Sequence, residues 1–302
     1  MSRARTPLSL YSEVAHSSAA RVISAYSTSF GLASRLLEPE VRPHIVNVYA
    51  LVRVADEIVD GTAEEAGLGV AARRVALDRL ESEVEDAIVS GFSANLVVHA
   101  FAWTARRTGV GPELIAPFFA SMRRDLDPVE LTESEFRTYV YGSAEVVGLM
   151  CLRAFTVGAD VDDALAERLA RGARHLGAAF QKINFLRDLG EDYLTRGRRY
   201  FPDCDPAGFT DADRDRLLAD IERDLSIAAA TIPELPDGSR RAVAAAHALF
   251  AELARRLRKT PAVLLLRTRV SVPAPWKAAI LLRAAALAGS RPGHPVAAGM
   301  RR

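Results

Sequence analysis

The sequence has little cysteine and no pairing pattern among the cysteines it has. Cys151 and Cys204 are its two cysteines in 302 residues, and neither belongs to a Cys-x-x-Cys or Cys/His group. This usage is typical of a protein of the reducing cytoplasm. We interpret both thiols as buried or idle.

Net charge and long apolar runs are lacking as well. The 39 lysines and arginines almost balance the 38 aspartates and glutamates, so no overall field attracts nucleic acid. No stretch approaches the ~18 apolar residues of a membrane span, and residues 1–15 lack the apolar core of a signal peptide. We therefore expect a soluble, cytoplasmic protein. Four basic residues interrupt the apolar C-terminal third: Arg267, Arg269, Lys277 and Arg283.

Strand patterns are missing, whereas helical spacing is frequent. Apolar residues recur at helical intervals in 45–59 and 176–189, and no alternating run with hairpin turns occurs. Turn signals divide the chain into roughly ten helices. They lie at Pro39, 109–112, 127–128, 202–208, 233–238 and 273–275. Because none is a long linker, the sequence predicts one all-α domain over 1–288 and a disordered tail over 289–302.

Two acidic motifs occupy polar stripes of otherwise apolar helices. At ~100° per residue, positions three and four apart share one face. The first stripe consists of Tyr49, Arg53, Asp56 and Asp60. The second consists of Gln181, Asn184, Asp188 and Asp192, with Arg187 and Glu191 beside it.

The paired carboxylates of these stripes predict a metal site. Carboxylates at i and i+4 repel each other, and partial burial raises that cost. A cation between the two carboxylates turns this repulsion into a net attraction. Mg²⁺ commonly takes one or two protein carboxylates together with water and phosphate oxygens. Two such helices facing each other across a cavity would bind a diphosphate and stabilise it as a leaving group. We predict Mg²⁺ as the cofactor, with Mn²⁺ as a substitute.

Other patterns in the chain resemble functional motifs without the same support. Asp211 and Asp215 repeat the acidic spacing, but they follow Thr210 as an N-cap and complement a helix N-terminus. The segment Gly67-x-Gly69-x-x-Ala72 matches a dinucleotide fingerprint, yet a helix-like sequence precedes it instead of a strand. No nicotinamide cofactor is therefore expected.

Five ordered segments carry a resemblance to a known family. They are Tyr26–Leu37, Val48–Asp60, Ser121–Leu126, Tyr139–Met150 and Gln181–Pro202. On these segments the sequence resembles the squalene and phytoene synthase family, in particular its bacterial phytoene synthase branch. The likeness extends from about Ser24 to Lys277. Two residues depart from the family pattern: Phe250, where many relatives carry tyrosine, and Glu145, where a smaller residue is frequent. Because of them the sequence does not determine the detailed shape of the cavity.

The resemblance implies an all-helical isoprenoid synthase fold around a central cavity. It implies prenyl diphosphate substrates, with Ser29 and Phe30 at the entrance to the reaction centre and Tyr139 near the departing diphosphate. The implied metal ligands are Asp56, Asp60, Asn184, Asp188, Glu191 and Asp192. The residues implied to assist the phosphates are Arg53, Gln181, Asn184 and Arg187. A weaker match adds Arg267 and Lys277, for which a solubilising surface role is the alternative.

The implied reaction joins two geranylgeranyl diphosphates head to head in carotenoid biosynthesis. A cyclopropylcarbinyl diphosphate forms first and rearranges to phytoene, with release of diphosphate. The alternative is a squalene or dehydrosqualene synthase that uses farnesyl diphosphate. A second alternative is a non-catalytic relative that serves in binding or assembly, which the presence of all four motif aspartates disfavours.

The C-terminal third carries a further expectation. Apolar runs and basic residues after Ala262 predict peripheral association with the inner face of a membrane. The alternative is an ordinary terminal helix with a solvated basic face. The sequence leaves the oligomeric state open.

Overall fold

The computed structural model describes residues 6–127 and 130–286, and helices make up most of this part. Within it no strand is formed, and a single bridge pairs Glu130 with Arg199. The predicted all-α class is therefore confirmed. The helices are α1 Pro7–Tyr26, α2 Thr28–Ser34, α3 Arg42–Val59, α4 Thr62–Glu65, α5 Val70–Ser90, α6 Leu96–Thr108, α7 Pro112–Arg124, α8 Glu133–Val140, α9 Val146–Phe155, α10 Asp163–Arg187, α11 Leu189–Arg196, α12 Asp211–Thr231, α13 Asp237–Lys259, α14 Ala262–Leu265 and α15 Ala274–Ala286.

Most helix ends follow from local sequence. Helix α6 ends at Gly109, whose positive φ of 72° suits glycine, and α7 begins at Pro112, where a missing N–H costs nothing. Thr210 caps α12, as the sequence predicts, and it forms a capping box with Asp213. Further breaks occur beyond those predicted, including one at Ser27.

The long helix α10 lies at the centre of the fold. One apolar core joins it to α8, α12 and α13, and a second core is formed by α3, α5, α6, α7 and α9. Glycines let the backbones approach closely between these layers. A Cβ on Gly177 of α10 would lie 2.4 Å from the carbonyl oxygen of Ala144, and one on Gly148 of α9 would lie 2.4 Å from that of Ala173.

A π-helical turn, Tyr141–Glu145, connects α8 to α9 without a loop. Its wider winding is visible in the backbone N–H of Val146, which donates to the carbonyl of Tyr141 five residues earlier. Such turns are rare and frequently lie at functional sites. Here the turn brings Ser143 and Ala144 to the wall of the central cavity.

Two sequence expectations concern the ends and the membrane. The predicted tail, 289–302, lies outside the described residues, and the domain boundary at 288 stays a prediction. Among the described helices, none is both long enough and apolar enough to cross a membrane.

Candidate active site

A cavity of about 910 Å³ opens between the two cores. Helices α2, α3, α8, α9, α10 and α13 all contribute to its wall. Both acidic motifs lie on this wall, together with Ser29 and Phe30 from α2 and Tyr139 from α8. The structure thus brings residues from four distant parts of the chain to one space.

Helix α3 carries the first acidic motif to the cavity. Asp56 lies in its last turn, whereas Asp60 is the residue that caps the helix at its C-terminus. Burial raises the pKa of Asp56 well above its ordinary value, and repulsion from Asp60 adds to the effect. Arg53 forms an ion pair with Glu57 and lies over the ring of Tyr26, 4.4 Å from its centroid.

The second acidic motif differs from the single helix that the sequence predicts. Helix α10 ends at Arg187, Asp188 has φ −99° and ψ 10°, and α11 begins at the next residue. Just after this break the backbone of α11 lies close to that of Leu266. A Cβ on Gly190 would be 2.3 Å from the carbonyl oxygen of Leu266. Gln181, Asn184, Asp188, Glu191 and Asp192 nevertheless all line the cavity.

Asp188 lies between two arginines. Arg187 donates from Nε at 2.9 Å, and Arg269 donates from Nε at 2.8 Å. Although burial opposes its ionisation, these two guanidinium groups hold the pKa of Asp188 below its ordinary value. The carboxylate therefore stays charged, and cationic side chains are already gathered around it.

Of the two basic residues predicted near the C-terminus, Lys277 and Arg267, the structure places one at the cavity. Lys277 lines the cavity and donates to Thr28 Oγ1 at 3.0 Å. Arg267 is exposed and is not among the residues of the cavity wall. Arg269, two positions later, is on that wall. The chain leaves α14 in a non-helical conformation, in which sequence spacing does not indicate direction.

Sequence reasoning did not single out a buried cluster at the base of the acidic end. Asp125 follows α7 and accepts hydrogen bonds from the hydroxyls of Tyr139, at 2.7 Å, and Tyr200, at 2.9 Å. Burial raises the pKa of Asp125 to about 6, although the charge of Arg198 opposes the change. Tyr139 was singled out from the sequence, whereas Asp125, Arg198 and Tyr200 were not; the segments Ser121–Leu126 and Gln181–Pro202 contain these three, so the resemblance was the available signal for them.

Polar atoms without partners point to an anionic ligand. Within the described part of the chain, three buried side-chain atoms have no hydrogen-bond partner: Arg53 Nε, Ser143 Oγ and Arg73 Nε. Arg53 and Ser143 line the cavity, whereas Arg73 does not. Buried donors are normally satisfied, so these atoms are suited to ligand oxygens.

The donor set also fits Mg²⁺ that arrives with a diphosphate. Among the described residues, no group of three or more His, Cys, Asp or Glu side chains is close enough to hold an ion alone. Mg²⁺ does not need such a group, because phosphate oxygens and water complete its octahedron. Burial and the nearby Asp60 raise the pKa of Asp56 although the charge of Arg53 opposes them, and a cation beside the carboxylate would favour its charged form.

The remainder of the cavity is apolar. Phe180 and Phe250 stack with ring centroids 3.7 Å apart, and Phe30 lies 5.7 Å from Phe180. Small residues from α9, α10, α12 and α13 line this apolar part together with larger ones such as Leu152, Phe155 and Leu169. The small residues are Gly148, Gly172, Ala173, Gly177, Ala228, Ala242 and Ala246.

The sequence predicts no catalytic role for Asp211, for the glycines of 67–72 or for the two cysteines. Asp211 is in the first turn of α12, and its carboxylate accepts the backbone N–H of Ala262 at 2.7 Å, so it joins two segments away from the cavity. The glycines Gly67 and Gly69 lie between α4 and α5, with no strand before them in the described chain. Burial raises the pKa of Cys151 to about 12 and that of Cys204 to about 11, which keeps both thiols protonated.

Solved structures share this helical arrangement. A dehydrosqualene synthase solved in complex with a ligand has a TM-score of 0.77 and 23% identity, over 95% of this chain and 100% of that chain. A squalene synthase from Alicyclobacillus acidocaldarius has a TM-score of 0.70 and 21% identity, over 83% and 95%. At this identity the likeness concerns the fold, which is that of these helical synthases.

Sequence comparison defines the family. Phytoene synthase 3, chloroplastic, from Zea mays is 35% identical over 191 residues, which cover 62% of this chain and 43% of that protein. Phytoene synthase 1, chloroplastic, from Solanum lycopersicum is 33% identical over 209 residues, 68% of this chain and 48% of that protein. The squalene/phytoene synthase family model matches residues 23–276. The chain belongs to the squalene/phytoene synthase family, and it spans less than half the length of these two relatives.

Proposed function

We propose that this protein is a magnesium-dependent prenyl transferase that joins two geranylgeranyl diphosphates head to head to give phytoene. The observation that supports this most is the division of one cavity into two parts. Carboxylates and arginines gather at one end, and aromatic and small apolar residues line the rest. A molecule with a diphosphate head and a long hydrocarbon tail matches both parts.

The polar end would bind and orient the diphosphates. Arg53, Arg187, Arg269 and Lys277 supply the positive charge, and the unpartnered Nε of Arg53 is available to a phosphate oxygen. Asp56, Asp60, Asp188 and Asp192 would hold Mg²⁺, with Asn184 and Glu191 assisting. When bound, the metal withdraws charge from the diphosphate and favours its departure.

The apolar part would protect a carbocation. Ionisation of an allylic diphosphate leaves a cation that water would trap, so water must be excluded from the reaction centre. The stacked rings of Phe180 and Phe250, with Phe30 beside them, form an apolar wall that would exclude water. Aromatic faces also attract positive charge. The 2,3-double bond of the second substrate would then attack this cation, and loss of a proton would close the cyclopropylcarbinyl diphosphate. That intermediate would release its own diphosphate, rearrange, and lose a second proton to give the linear alkene.

The C20 substrate is favoured by the small residues of the cavity wall and by the names of the similar relatives, which are phytoene synthases. A C20 tail has five carbons more than a C15 tail, and at ~0.8 kcal/mol per buried carbon this gives up to ~4 kcal/mol. The solved structures of similar fold are a dehydrosqualene and a squalene synthase. Farnesyl diphosphate as substrate is therefore the second candidate.

A competition assay tests the substrate. The protein is incubated with both diphosphates and Mg²⁺, without nicotinamide, and C30 and C40 hydrocarbons are separated. We expect mainly C40 product, and mainly C30 product would contradict the phytoene assignment. Ala246→Phe, which narrows the cavity, is expected to shift the product towards C30. Ala248→Phe, on the same helix but away from the cavity wall, is the matched control.

We also propose that the protein works at a membrane surface. Beside Lys277 at the cavity, α14 and α15 expose apolar side chains. Trp276 is 53% exposed, Leu282 71% and Val263 56%. A helix with only a solvated basic face, the alternative, would not expose these apolar side chains, and the exposed Arg267 and Arg283 of the same part of the chain suit anionic lipid.

Vesicle flotation tests this surface. The full chain should float with vesicles of anionic lipid at low salt, and Leu282→Asp should weaken the association. Val89→Asp is the matched control, because Val89 is 83% exposed on α5, which does not line the cavity. Absence of flotation, or equal loss in both variants, would contradict the proposal.

A further inference from the structure

Arg198 is a buried cation that the substrate and metal assignments leave without a role. It follows α11, and its side chain is 8% exposed. Its guanidinium donates to Asp60 Oδ1 at 2.7 Å, to the carbonyl of Val59 at 3.1 Å and to the carbonyl of Asp125 at 2.8 Å. One side chain therefore joins the end of α3 to the end of α7.

Asp60 is in a position that requires such support. It caps the C-terminus of α3, with φ −105° and ψ 15°, so no further helical turn fixes its backbone. The next residue is Gly61, at φ 123°, a conformation open mainly to glycine. The carbonyl of Val59 is among those that a helix end leaves unsatisfied, and a cation is favourable there.

The backbone of Arg198 reaches the second acidic motif. Its N–H donates to the carbonyl of Asp192 at 2.9 Å. Gly197, in the left-handed conformation at φ 64°, ends α11 and turns the chain so that this bond forms. The same residue thus contacts Asp60 through its side chain and Asp192 through its main chain.

We propose that Arg198 is a positioning residue that sets the placement of Asp60 relative to Asp192. The inference rests on the proposed function, in which both acids hold metal ions on the diphosphates. Arg198 also lines the cavity, and in this proposal it acts through Asp60 and Asp192 and not as a direct substrate ligand. Partners behind a metal ligand fix its orientation, and their loss typically weakens metal binding 10–100-fold.

Arg198→Lys separates geometry from charge. Lysine keeps the positive charge, but its ammonium group cannot reproduce the planar fork that spans a carboxylate and two carbonyls. A role limited to charge would therefore survive this substitution, whereas a positioning role would not.

The chain offers a matched control in Arg214. This arginine is 9% exposed, and it also joins a carboxylate, Asp211 at 2.8 Å, to a carbonyl, that of Thr260 at 2.7 Å. It lies on α12, outside the cavity wall. Arg214→Lys should cost stability in a similar way without reaching the acidic motifs.

A second pair of variants tests the main-chain contact. Gly197→Ala keeps the guanidinium but strains the turn that delivers the N–H to Asp192. Gly158→Ala is its control, since Gly158 has φ 72° and open space around it, as Gly197 does, but is not among the residues of the cavity wall.

The experiment is a titration of each full-length protein with Mn²⁺ in the presence of inorganic diphosphate, followed by electron paramagnetic resonance, with melting temperatures measured in parallel. We expect Arg198→Lys to raise the Kd for Mn²⁺ at least ~10-fold, Gly197→Ala to raise it as well, and both controls to keep the wild-type Kd. An unchanged Kd in Arg198→Lys and Gly197→Ala, or an equal rise in the controls, would overturn the positioning role alone. Absence of Mn²⁺ binding by the wild type would overturn the proposed metal site and this role with it.

Discussion

Asp125 gives the protein a pH dependence that can be worked out from its surroundings. The carboxyl group is buried, at 7% exposure, and accepts hydrogen bonds from Tyr139 and Tyr200. Burial raises its pKa from 3.8 to about 6. The perturbation we consider is Asp125→Asn, which keeps an acceptor for a tyrosine hydroxyl and removes the titration.

The sign follows from proton binding. Between pH 3.8 and about 6 the folded chain holds a proton on Asp125 that the unfolded chain has released. Stability therefore falls as pH rises wherever the folded state binds more protons. A difference of about 2 pH units, at ~1.36 kcal/mol each, gives a loss of ~3 kcal/mol across this window. Above about pH 6 this group has no further effect.

Urea unfolding of wild type and variant between about pH 4 and pH 7 measures the effect. The free energy of unfolding of the wild type should fall by ~3 kcal/mol relative to Asp125→Asn as pH rises, with most of the change below pH 6. Asp160→Asn, at an exposed carboxyl, is the control, and its curve should run parallel to that of the wild type. Parallel curves for Asp125→Asn would refute the reasoning.

Two further predictions concern turnover and packing. Asp56→Asn should lower turnover with prenyl diphosphates at least ~100-fold without unfolding the protein. The metal stabilises the departing diphosphate by several kcal/mol, this depends on the charge of Asp56, and each ~1.4 kcal/mol is a tenfold change in rate. Asp211→Asn should keep turnover near the wild-type value, and equal losses in the two variants would contradict the metal assignment. Gly177→Ala should lower the free energy of unfolding by ~1–3 kcal/mol, since its Cβ would lie 2.4 Å from the carbonyl oxygen of Ala144. Gly208→Ala, with open space around it, should change the free energy of unfolding by less than ~0.5 kcal/mol in the same urea titration, and similar values for both glycines would count against the close contact.

Features encoded within one or two helical turns could be predicted from the sequence. The stripe of Tyr49, Arg53 and Asp56 reaches the cavity because positions three and four apart share a helix face. The N-cap at Thr210 was predictable for the same reason, since its partner Asp213 is three residues away.

Features that depend on distant partners could not be predicted in this way. Arg198 and Asp60 are 138 positions apart in sequence, and no local pattern joins them. The helix break at Asp188 accompanies contacts with Leu266 and Arg269, which arrive from the other end of the chain. Arg269 lies on the cavity wall, whereas the sequence predicted Arg267. The backbone there is not helical, so packing against distant segments sets the direction of each side chain.

The π-helical turn between α8 and α9 has a consequence for how this chain tolerates insertions and deletions. In an unbroken α-helix each four-residue step advances ~40° around the axis, so Tyr139 and Phe155 would face nearly opposite sides. Both line the cavity, because the wider turn at Tyr141–Glu145 takes back part of that rotation. The turn holds one residue more than an α-helical turn, so removing one residue from it would restore a regular α-helix and keep the side chains after it on the cavity side. Removing one residue within α9 itself would instead rotate the side chains after it by ~100°.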